Sequence, residues 1–459
     1  MTKPQSLCQK ASVSRWAQAV VDGVIICLAV SIGFLVRYRA IPELYYPSFL
    51  QLLPVWLIVN FATLSIYELY GKPPCQWREL RSRLLVGYGV SFLIVLASSY
   101  LLRDANFPRP VMAVALVVTV ALGLVWRRLL WRAFHQSIEN TKVLVIDTSP
   151  SIVTLAKKVE SALGSQVVQI ELGPSDRERA PRPLVDGSMA SYVAAAQEGL
   201  CSDEVRAVVV GPDVPYPLKC AIATEGFKAG KEVHLVPSWY DILLSRATLS
   251  QVDDTPTLTI QPPRHLDRIP TGKRLLDVAI SLPLVIVLAP LMLLIAVAVR
   301  LDSPGPALFR QERVGLGNRP FTLLKFRTMV ADAERLTGPV LATENDPRLT
   351  RVGRFLRATR LDELPQLFNV LRGEMSLVGP RPERPFFVNT FSSQIPHYEQ
   401  RHRVPGGVTG LAQVLGRYST SPEDKLRYDL LYAGSASAIS DLRILLKTVA
   451  TVFNRRSAS

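Results

Sequence analysis

Two adjacent carboxylates, Asp362 and Glu363, stand in the run Arg357-Ala-Thr-Arg360-Leu-Asp362-Glu363-Leu-Pro365-Gln366, between arginines and a predicted helix. Pro365 suits the first turn of a helix running to about Leu371. That puts Asp362 at or near the N-cap, where a carboxylate accepts from free backbone N–H groups. A capping aspartate has no use for a partner acid, however. Two carboxylates at the positive end of a helix, beside arginines, offer a second chemistry. One can bind Mg²⁺ while the other attacks phosphorus, giving an acyl phosphate that a second acceptor opens. The residues alone leave both readings open.

The same region is crowded with cations, among them Arg310, Arg313, Lys325, Arg327, Arg357, Arg381, Arg401 and Arg417. Arginine presents a planar fork to phosphate oxygens, and basic faces also bind anionic lipid. Nucleic acid is not an expected partner, because no aromatic platform is interleaved with the charge and no recognition-helix pattern is present. His402, just before a Pro-Gly-Gly turn, is either a group titrating near neutrality or a packing histidine. The five cysteines are scattered, without CxxC spacing, so neither a disulfide framework nor a zinc site is expected.

The elements that position these groups follow from the distribution of apolar residues. The chain has 459 residues and a net charge of +15, with hydrophobic residues at 48%. It is too long for one domain and too apolar to be disordered. Four charge-poor runs near Ala17–Val36, Ser48–Tyr67, Leu84–Leu102 and Pro110–Trp126 have the length of membrane spans. Lys3, Lys10, Arg15, Lys72, Arg78, Arg81 and Arg83 on one side outnumber Arg37, Arg39, Arg103 and Arg109 on the other. The positive-inside bias puts the N-terminus and everything after residue 130 in the cytoplasm.

A fifth apolar run, Val278–Val299, carries Pro283 and Pro290 and is flanked by Lys273, Arg274 and Arg300. The stretch from Asp277 to Ala289 makes about 20 Å of helix, too short to cross a bilayer. A helix–break–helix that enters one leaflet and returns is expected, packed against the domain that follows; a fifth full span is the competing reading.

Between these parts, Lys142–Ile146, Val167–Leu172, Ala207–Val210 and Glu232–Val236 read as buried strands, with helices at Ser151–Leu163 and Pro217–Ala229. This is a βαβ pattern, and a Rossmann-like module over 140–250 is expected. Asp147-Thr148-Ser149-Pro150 follows the first strand where a dinucleotide site needs glycines, so NAD is not expected there. Pro-rich stretches at Ala180–Pro183 and Pro256–Pro270 read as a surface loop and an interdomain linker, 251–270. The tail Asp441–Arg456 reads as an amphipathic helix, lying on an anionic membrane or packed on its own domain.

Across residues 271–432 the chain resembles the bacterial sugar transferases, the monotopic phosphoglycosyl transferases. The likeness runs through Lys273-Arg274-x-x-Asp277, Asp302-Ser-Pro-Gly-Pro306, Phe309-Arg310-Gln311-Glu312-Arg313-Val-Gly315, Lys325-Phe-Arg327-Thr-Met329 and Asn345-Asp346-Pro-Arg348. It continues through Leu361-Asp362-Glu363-Leu-Pro365-Gln366, Ser376-Leu-Val-Gly379-Pro380-Arg381-Pro382 and Pro405-Gly-Gly-Val-Thr409-Gly410-x-x-Gln413-x-x-Gly416-Arg417. The order of four spans, a Rossmann-like module and this region is similar to the family's long form.

The resemblance implies transfer of a sugar 1-phosphate from a UDP-sugar to undecaprenyl phosphate, with release of UMP, at the start of exopolysaccharide, capsule or O-antigen assembly in the bacterial inner membrane. It implies that Asp362 is the nucleophile, that Glu363 beside it serves Mg²⁺, and that Arg357 faces the lipid phosphate. Lys325, Arg327, Arg313, Pro380, Arg381, Gln413 and Arg417 would line the phosphate and nucleotide pocket. The implied fold is a four-helix transmembrane bundle over 1–135, the α/β module, and a mainly α catalytic domain over 271–459. A re-entrant helix at 276–300, with Lys273, Arg274, Asp277 and Pro290, would anchor that domain. A homodimer through the spans and the middle module is compatible with this layout. Two departures stand out. Ala289-Pro290 replaces the family's Ser-Pro at the break, leaving Ser281 or water to satisfy a freed carbonyl; and Tyr432-Ala-Gly-Ser-Ala-Ser437 replaces Tyr-x-x-Asn-x-Ser. A membrane scaffold or regulator with an inactive transferase domain, and a phosphohydrolase using the same dyad with water, are the competing functions.

Overall fold

A computed structural model of the chain describes residues 14–40, 42–71, 73, 76–101, 108–136, 142–147, 152–163, 166–171, 197, 199–200, 202, 204–245, 247–260, 269–330, 346, 348–416 and 420–453. Lys3, Lys10, Lys72 and Arg103 of the orientation argument lie outside them, as do residues 148–150, 180–183 and 261–268. The chain forms two compact units, divided between Ser238 and Trp239.

The first unit opens with four long helices, α1 (Arg15–Tyr38), α2 (Tyr46–Ile66), α3 (Trp77–Leu101) and α4 (Arg109–Gln136). Ser14 caps α1 by accepting from the Ala17 N–H at 3.1 Å. Ile26, Ala29, Val30 and Phe34 of α1 pack with Trp56, Val95, Val111 and Met112 of the other three. The outward faces are apolar as well: Val20, Ile58, Leu93, Val117 and Val125 are all exposed. Helices apolar on both faces are at home in lipid rather than water. With the long helix of the second unit, five helices among the described residues are long and apolar enough to cross a bilayer, and this is a membrane protein.

One ion pair ties α4 to α1 and to the segment that follows α2. Arg127 of α4 meets Asp22 of α1 at 2.6 Å, and its other terminal nitrogen donates to Gln18 Oε1 at 2.6 Å and to the Leu69 carbonyl at 2.8 Å. Both side chains are almost wholly buried.

The same unit continues into a parallel sheet of β1 (Lys142–Asp147), β2 (Gln166–Glu171), β3 (Val205–Val210) and β4 (Glu232–Leu235), in the order β2-β1-β3-β4. Helix α5 (Ile152–Leu163) and helix α6 (Tyr216–Lys228) cross between strands. Buried valines of β1 and β3 alternate between two apolar clusters, one facing Ile152 and Val159, the other facing Leu218 and Ile222. Every strand and helix expected here is present within a residue or so of its sequence-based bounds.

The second unit starts with a short helix, α7 (Trp239–Leu244), and a hairpin of β5 (Thr248–Val252) and β6 (Thr255–Thr259). The expected linker at 251–270 therefore begins as β structure. Alternating Thr, Ser and Leu around an Asp-Asp turn outweigh the prolines, and Pro256 is tolerated in an unshared edge strand.

Next comes α8 (Thr271–Asp302), a single helix with Pro283 and Pro290 inside it. The expected break does not divide it, because each proline removes one N–H bond while the neighbouring bonds persist. Ser281, which could have satisfied a freed carbonyl, is buried without a hydrogen-bond partner. The carbonyl that Pro290 releases is that of Ile286, more than a turn further along. The expected packing against the following domain is present. Asp277 accepts from Ser376 Oγ and the Leu377 N–H, both at 3.0 Å, and Met292, Ile295 and Val299 pack on Phe326 and Leu356.

The remaining elements are mainly helical, around two small sheets. A hairpin of β7 (Leu308–Val314) and β8 (Pro320–Phe326) is followed by α9 (Arg351–Thr359) and α10 (Gln366–Arg372). Then come β9 (Ser376–Val378), α11 (Pro385–Gln394), β10 (Gly407–Thr409), α12 (Leu411–Leu415), α13 (Pro422–Ser435) and α14 (Ala438–Phe453). Strands β9 and β10 pair in parallel. Leu323, Leu367, Val370, Met375, Val378 and Tyr432 form the core, which Ile444 of α14 joins, so the tail helix does pack on its own domain.

Removing one member of the Arg127–Asp22 pair leaves a buried charge unpaired. Arg127→Gln is expected to destabilise the first unit by about 3 kcal/mol or more. Thermal unfolding of the full chain in nanodiscs, with an Asp22→Asn/Arg127→Gln double variant recovering part of the loss, checks this.

Candidate active site

The site is built where β8, α9 and the start of α10 converge. Gly353 of α9 lies so close to the Thr328 backbone that a Cβ there would stand 2.0 Å from its carbonyl oxygen, and only glycine permits this approach. Helix α9 ends at Arg360, whose left-handed backbone (φ 58°) reverses the chain into a tight turn over Leu361–Glu363. A left-handed arginine is a local cost that a packed site can impose.

The residue at the N-cap of α10 is Pro365, and no side chain caps that helix. Asp362 is therefore not the cap, and its carboxylate accepts no hydrogen bond from any described residue. Glu363 is the opposite case. Its Oε1 accepts from Arg381 at 2.7 Å and from Lys325 Nζ, on β8, at 3.2 Å, and Oε2 meets Arg381 at 3.4 Å.

The two acids are thereby driven apart. The charges of Arg381 and Lys325 hold Glu363 well below the usual carboxylate range despite its burial. Burial and then the charge of Glu363 push Asp362 upward, opposed by Lys325, Arg381 and Arg357. Adjacent carboxylates separated in this way can take different roles. Glu363 is a fixed counterion, and the carboxylate of Asp362 is left open, facing cations.

Arg381 owes its place to a clamped loop. Gly379 N–H donates to Thr409 O at 2.9 Å and Gly407 N–H to Pro380 O at 2.9 Å. Arg401 donates to Arg381 O at 3.0 Å, Arg313 to Pro382 O at 3.0 Å, and Val314 N–H to Glu383 O at 2.9 Å. A Cβ on Gly379 would stand 2.1 Å from the Pro405 carbonyl oxygen, so this crossing admits no side chain.

The other sequence-predicted residues divide. Arg357 lies at the end of α9, donating Nε to Thr328 Oγ1 at 3.1 Å, and its charge reaches Asp362. Arg327 is buried with its terminal nitrogens on Ser303 O at 2.6 Å and Pro304 O at 2.8 Å, holding the turn after α8. Arg313 is spent on the clamped loop. Gln413 donates to Val408 O at 3.0 Å and its Oε1 is buried without a partner. Arg417 lies outside the described residues.

His402 is buried against Asn318, and burial together with Arg401 pushes it down to about 3, so it is a packing group that stays neutral. Tyr432 is also structural: its hydroxyl donates to Asp441 at 2.7 Å, and Lys273 reaches both groups. The departure after Tyr432 falls at the end of α13. Sequence reasoning gave no role to Thr328, Asp429 or the fork of Arg401, since none is near the dyad in the chain.

Among the described residues no cluster of three or more metal-binding side chains is assembled. Mg²⁺ needs less, since one or two carboxylates with substrate phosphates complete its shell. The open carboxylate of Asp362, and Glu363 Oε2 with its one long contact, fit that sparse set.

The description of bacterial sugar transferases matches residues 269–455, which contain every group described above. A UDP-glucose:undecaprenyl-phosphate glucose-1-phosphate transferase of Caulobacter vibrioides is 46% identical over 213 residues, covering 44% of this chain and 79% of that protein. The chain belongs to the bacterial sugar transferase family. This transferase is also 42% identical over 191 residues to an exopolysaccharide production protein of Rhizobium leguminosarum, covering 40% of this chain and 96% of that protein. It is 40% identical over 215 residues to a UDP-N-acetylgalactosamine-undecaprenyl-phosphate N-acetylgalactosaminephosphotransferase of Aeromonas hydrophila, covering 46% of this chain but only 50% of that protein. The likeness is thus to the catalytic unit, and it spans about half the length of some of these relatives.

The split dyad sets a pH dependence. Burial and the charge of Glu363 raise the proton affinity of Asp362, so any activity that needs this carboxylate ionised is expected to fall at a higher pH than an ordinary aspartate would give. Removing a cation that opposes the rise shifts this further: in Arg381→Met the acid limb of kcat/KM is expected at higher pH than in the native transferase. A pH–rate series on both proteins measures the displacement and its sign.

Proposed function

We propose that this transferase moves a sugar 1-phosphate from a UDP-sugar to undecaprenyl phosphate at the cytoplasmic face of the bacterial inner membrane, as the first membrane step of exopolysaccharide, capsule or O-antigen synthesis. The observation carrying the reading is the Asp362 carboxylate, free of hydrogen bonds beside a Glu363 already neutralised by Lys325 and Arg381. Asp362 attacks the phosphorus that bears the sugar, forming a carboxyl–phosphate bond as the bond to UMP breaks and UMP departs with the electron pair. An oxygen of undecaprenyl phosphate then attacks the same phosphorus, the carboxyl–phosphate bond breaks, and Asp362 is restored. Arg357 faces the lipid phosphate, while Lys325 and Arg381 hold Glu363 in place and add positive potential where phosphate charge develops. Mg²⁺, held by Glu363 and Asp362 together with donor phosphates, would neutralise diphosphate charge.

The topology supports a lipid acceptor. Helix α8 is fastened at both ends to one unit. Lys273 bonds Val378 O at 2.8 Å near its start, and Asp302 accepts from Val352 N–H at 3.0 Å at its finish. A helix crossing the bilayer would carry its ends to opposite sides. Between them Ile286, Val287, Leu293 and Leu294 are exposed, an apolar face suited to one leaflet. We therefore read α8 as re-entrant, its continuous helix bent at Pro283 and Pro290 so that it enters and leaves on the cytoplasmic side. The four helices of the first unit form a transmembrane bundle, and its parallel sheet is a Rossmann-like module.

Purified protein in nanodiscs with Mg²⁺ and a panel of UDP-sugars is expected to turn over one donor, releasing UMP repeatedly, only when undecaprenyl phosphate is added, and to release at most about one equivalent of UMP without it. Asp362→Asn is expected to lower this by about 10³-fold or more. Turnover that survives Asp362→Asn would remove the covalent route, and free sugar phosphate without lipid product would indicate hydrolysis instead. With the five native cysteines replaced by serine, Gly272→Cys and Ser303→Cys should each react with an impermeant maleimide from the same side of sealed vesicles; labelling from opposite sides would make α8 a full span.

A further inference from the structure

We infer that Arg401, anchored by Asp429, is a positioning residue that fixes the backbone from which Arg381 reaches Glu363; the inference rests on the transfer reaction proposed above. Arg401 is only 5% exposed, so it does not meet substrate. One terminal nitrogen donates to the Arg381 carbonyl at 3.0 Å and lies 2.8 Å from Asp429 Oδ2 on α13. The other donates to the Tyr398 hydroxyl, and the guanidinium lies 5.0 Å from the centre of that ring.

Stability alone gives little reason for this arrangement, since a buried ion pair is often no better than apolar residues of similar volume. Its placement gives one. The carbonyls of Pro380 and Glu383, on either side, are held by backbone N–H groups of Gly407 and Val314. That of Pro382 is held by Arg313 of the β7–β8 hairpin, and that of Arg381 by Arg401, which takes its own position from a helix distant in sequence. A displacement of α13 or of Arg401 is therefore transmitted to the residue whose guanidinium fixes Glu363. Arginine is required because its rigid fork serves a carboxylate, a carbonyl and a hydroxyl together, whereas a lysine ammonium is a single point charge.

The test is a double-mutant cycle on UMP release. Arg401→Lys keeps the charge opposite Asp429 and loses the fork. It is expected to lower kcat by about 10- to 100-fold, the range that a misplacement of order 1 Å produces, with little change in KM for the UDP-sugar. In an Arg381→Ala background the same substitution is expected to change kcat by less than about threefold, because no guanidinium is left to position. The same factor in both backgrounds, or an unchanged kcat in the native background, overturns the inference. Asp429→Asn serves in place of Arg401→Lys if that variant does not fold.

A second readout needs no turnover. The non-additivity of the Tm shifts of Arg381→Ala and Glu363→Gln reports the coupling of that pair, and it is expected to shrink in the Arg401→Lys background; unchanged coupling overturns the inference. A native chain that releases no UMP would sink the transferase reading, and the thermal cycle would then decide the positioning role alone.

Discussion

The Glu363 carboxylate, facing Lys325 and Arg381, is the interaction on which the catalytic unit depends. It brings β8, the turn after α9 and the loop after β9 to one point, and those three segments come from well-separated parts of the chain. Charge of one sign gathered at a partly buried site is unfavourable unless something neutralises it. Glu363 does so for two cations at once, and it can do so only if all three segments are in register. The packing of Gly353 on Thr328 and the crossing at Gly379 are the steric conditions for that register. The chemistry of the neighbouring acid follows, because the same cations that fix Glu363 also oppose the rise in the proton affinity of Asp362.

This division of labour explains why two acids stand side by side. A single aspartate among cations would be tied up as their counterion, and an ion-paired carboxylate is a poor nucleophile. With Glu363 taking the hydrogen bonds, the oxygens of Asp362 remain open while the positive potential around them persists. The arrangement suits anionic ligands, since positive potential persists around an open carboxylate.

The membrane constrains the same unit from the other side. Helix α8 carries Lys273, Arg274 and Asp277 into the catalytic core at one end and caps α9 through Asp302 at the other. The helix immersed in lipid is thus also a structural member of the site. Its apolar middle and its polar ends belong to one element, so the apolar face and the dyad are held in one unit. The four helices of the first unit solve a different problem with the same means: Asp22 and Arg127 neutralise each other where lipid would tolerate neither alone.

The sequence by itself determined the local elements. Runs of apolar residues about as long as a bilayer needs placed the membrane helices, and alternating valine-rich strands and helices placed the parallel sheet, because both patterns depend only on near neighbours. It also singled out Asp362 and Glu363, since adjacent acids among arginines are a local signature. What it could not decide was how those acids divide the work: the N-cap reading of Asp362 and the nucleophile reading have the same spacing. Pro365 takes the cap position, which removes the N-cap reading, and Lys325 and Arg381 converge on Glu363 from 38 and 18 residues away, which leaves the Asp362 carboxylate open. Likewise Arg327 and Arg313 look like phosphate ligands in sequence and are spent on backbone carbonyls in the fold, and His402 is silenced by burial. A residue's type and its neighbours in the chain fix which interactions are available to it; which partner it meets depends on packing between distant segments, and that exists only in the tertiary structure.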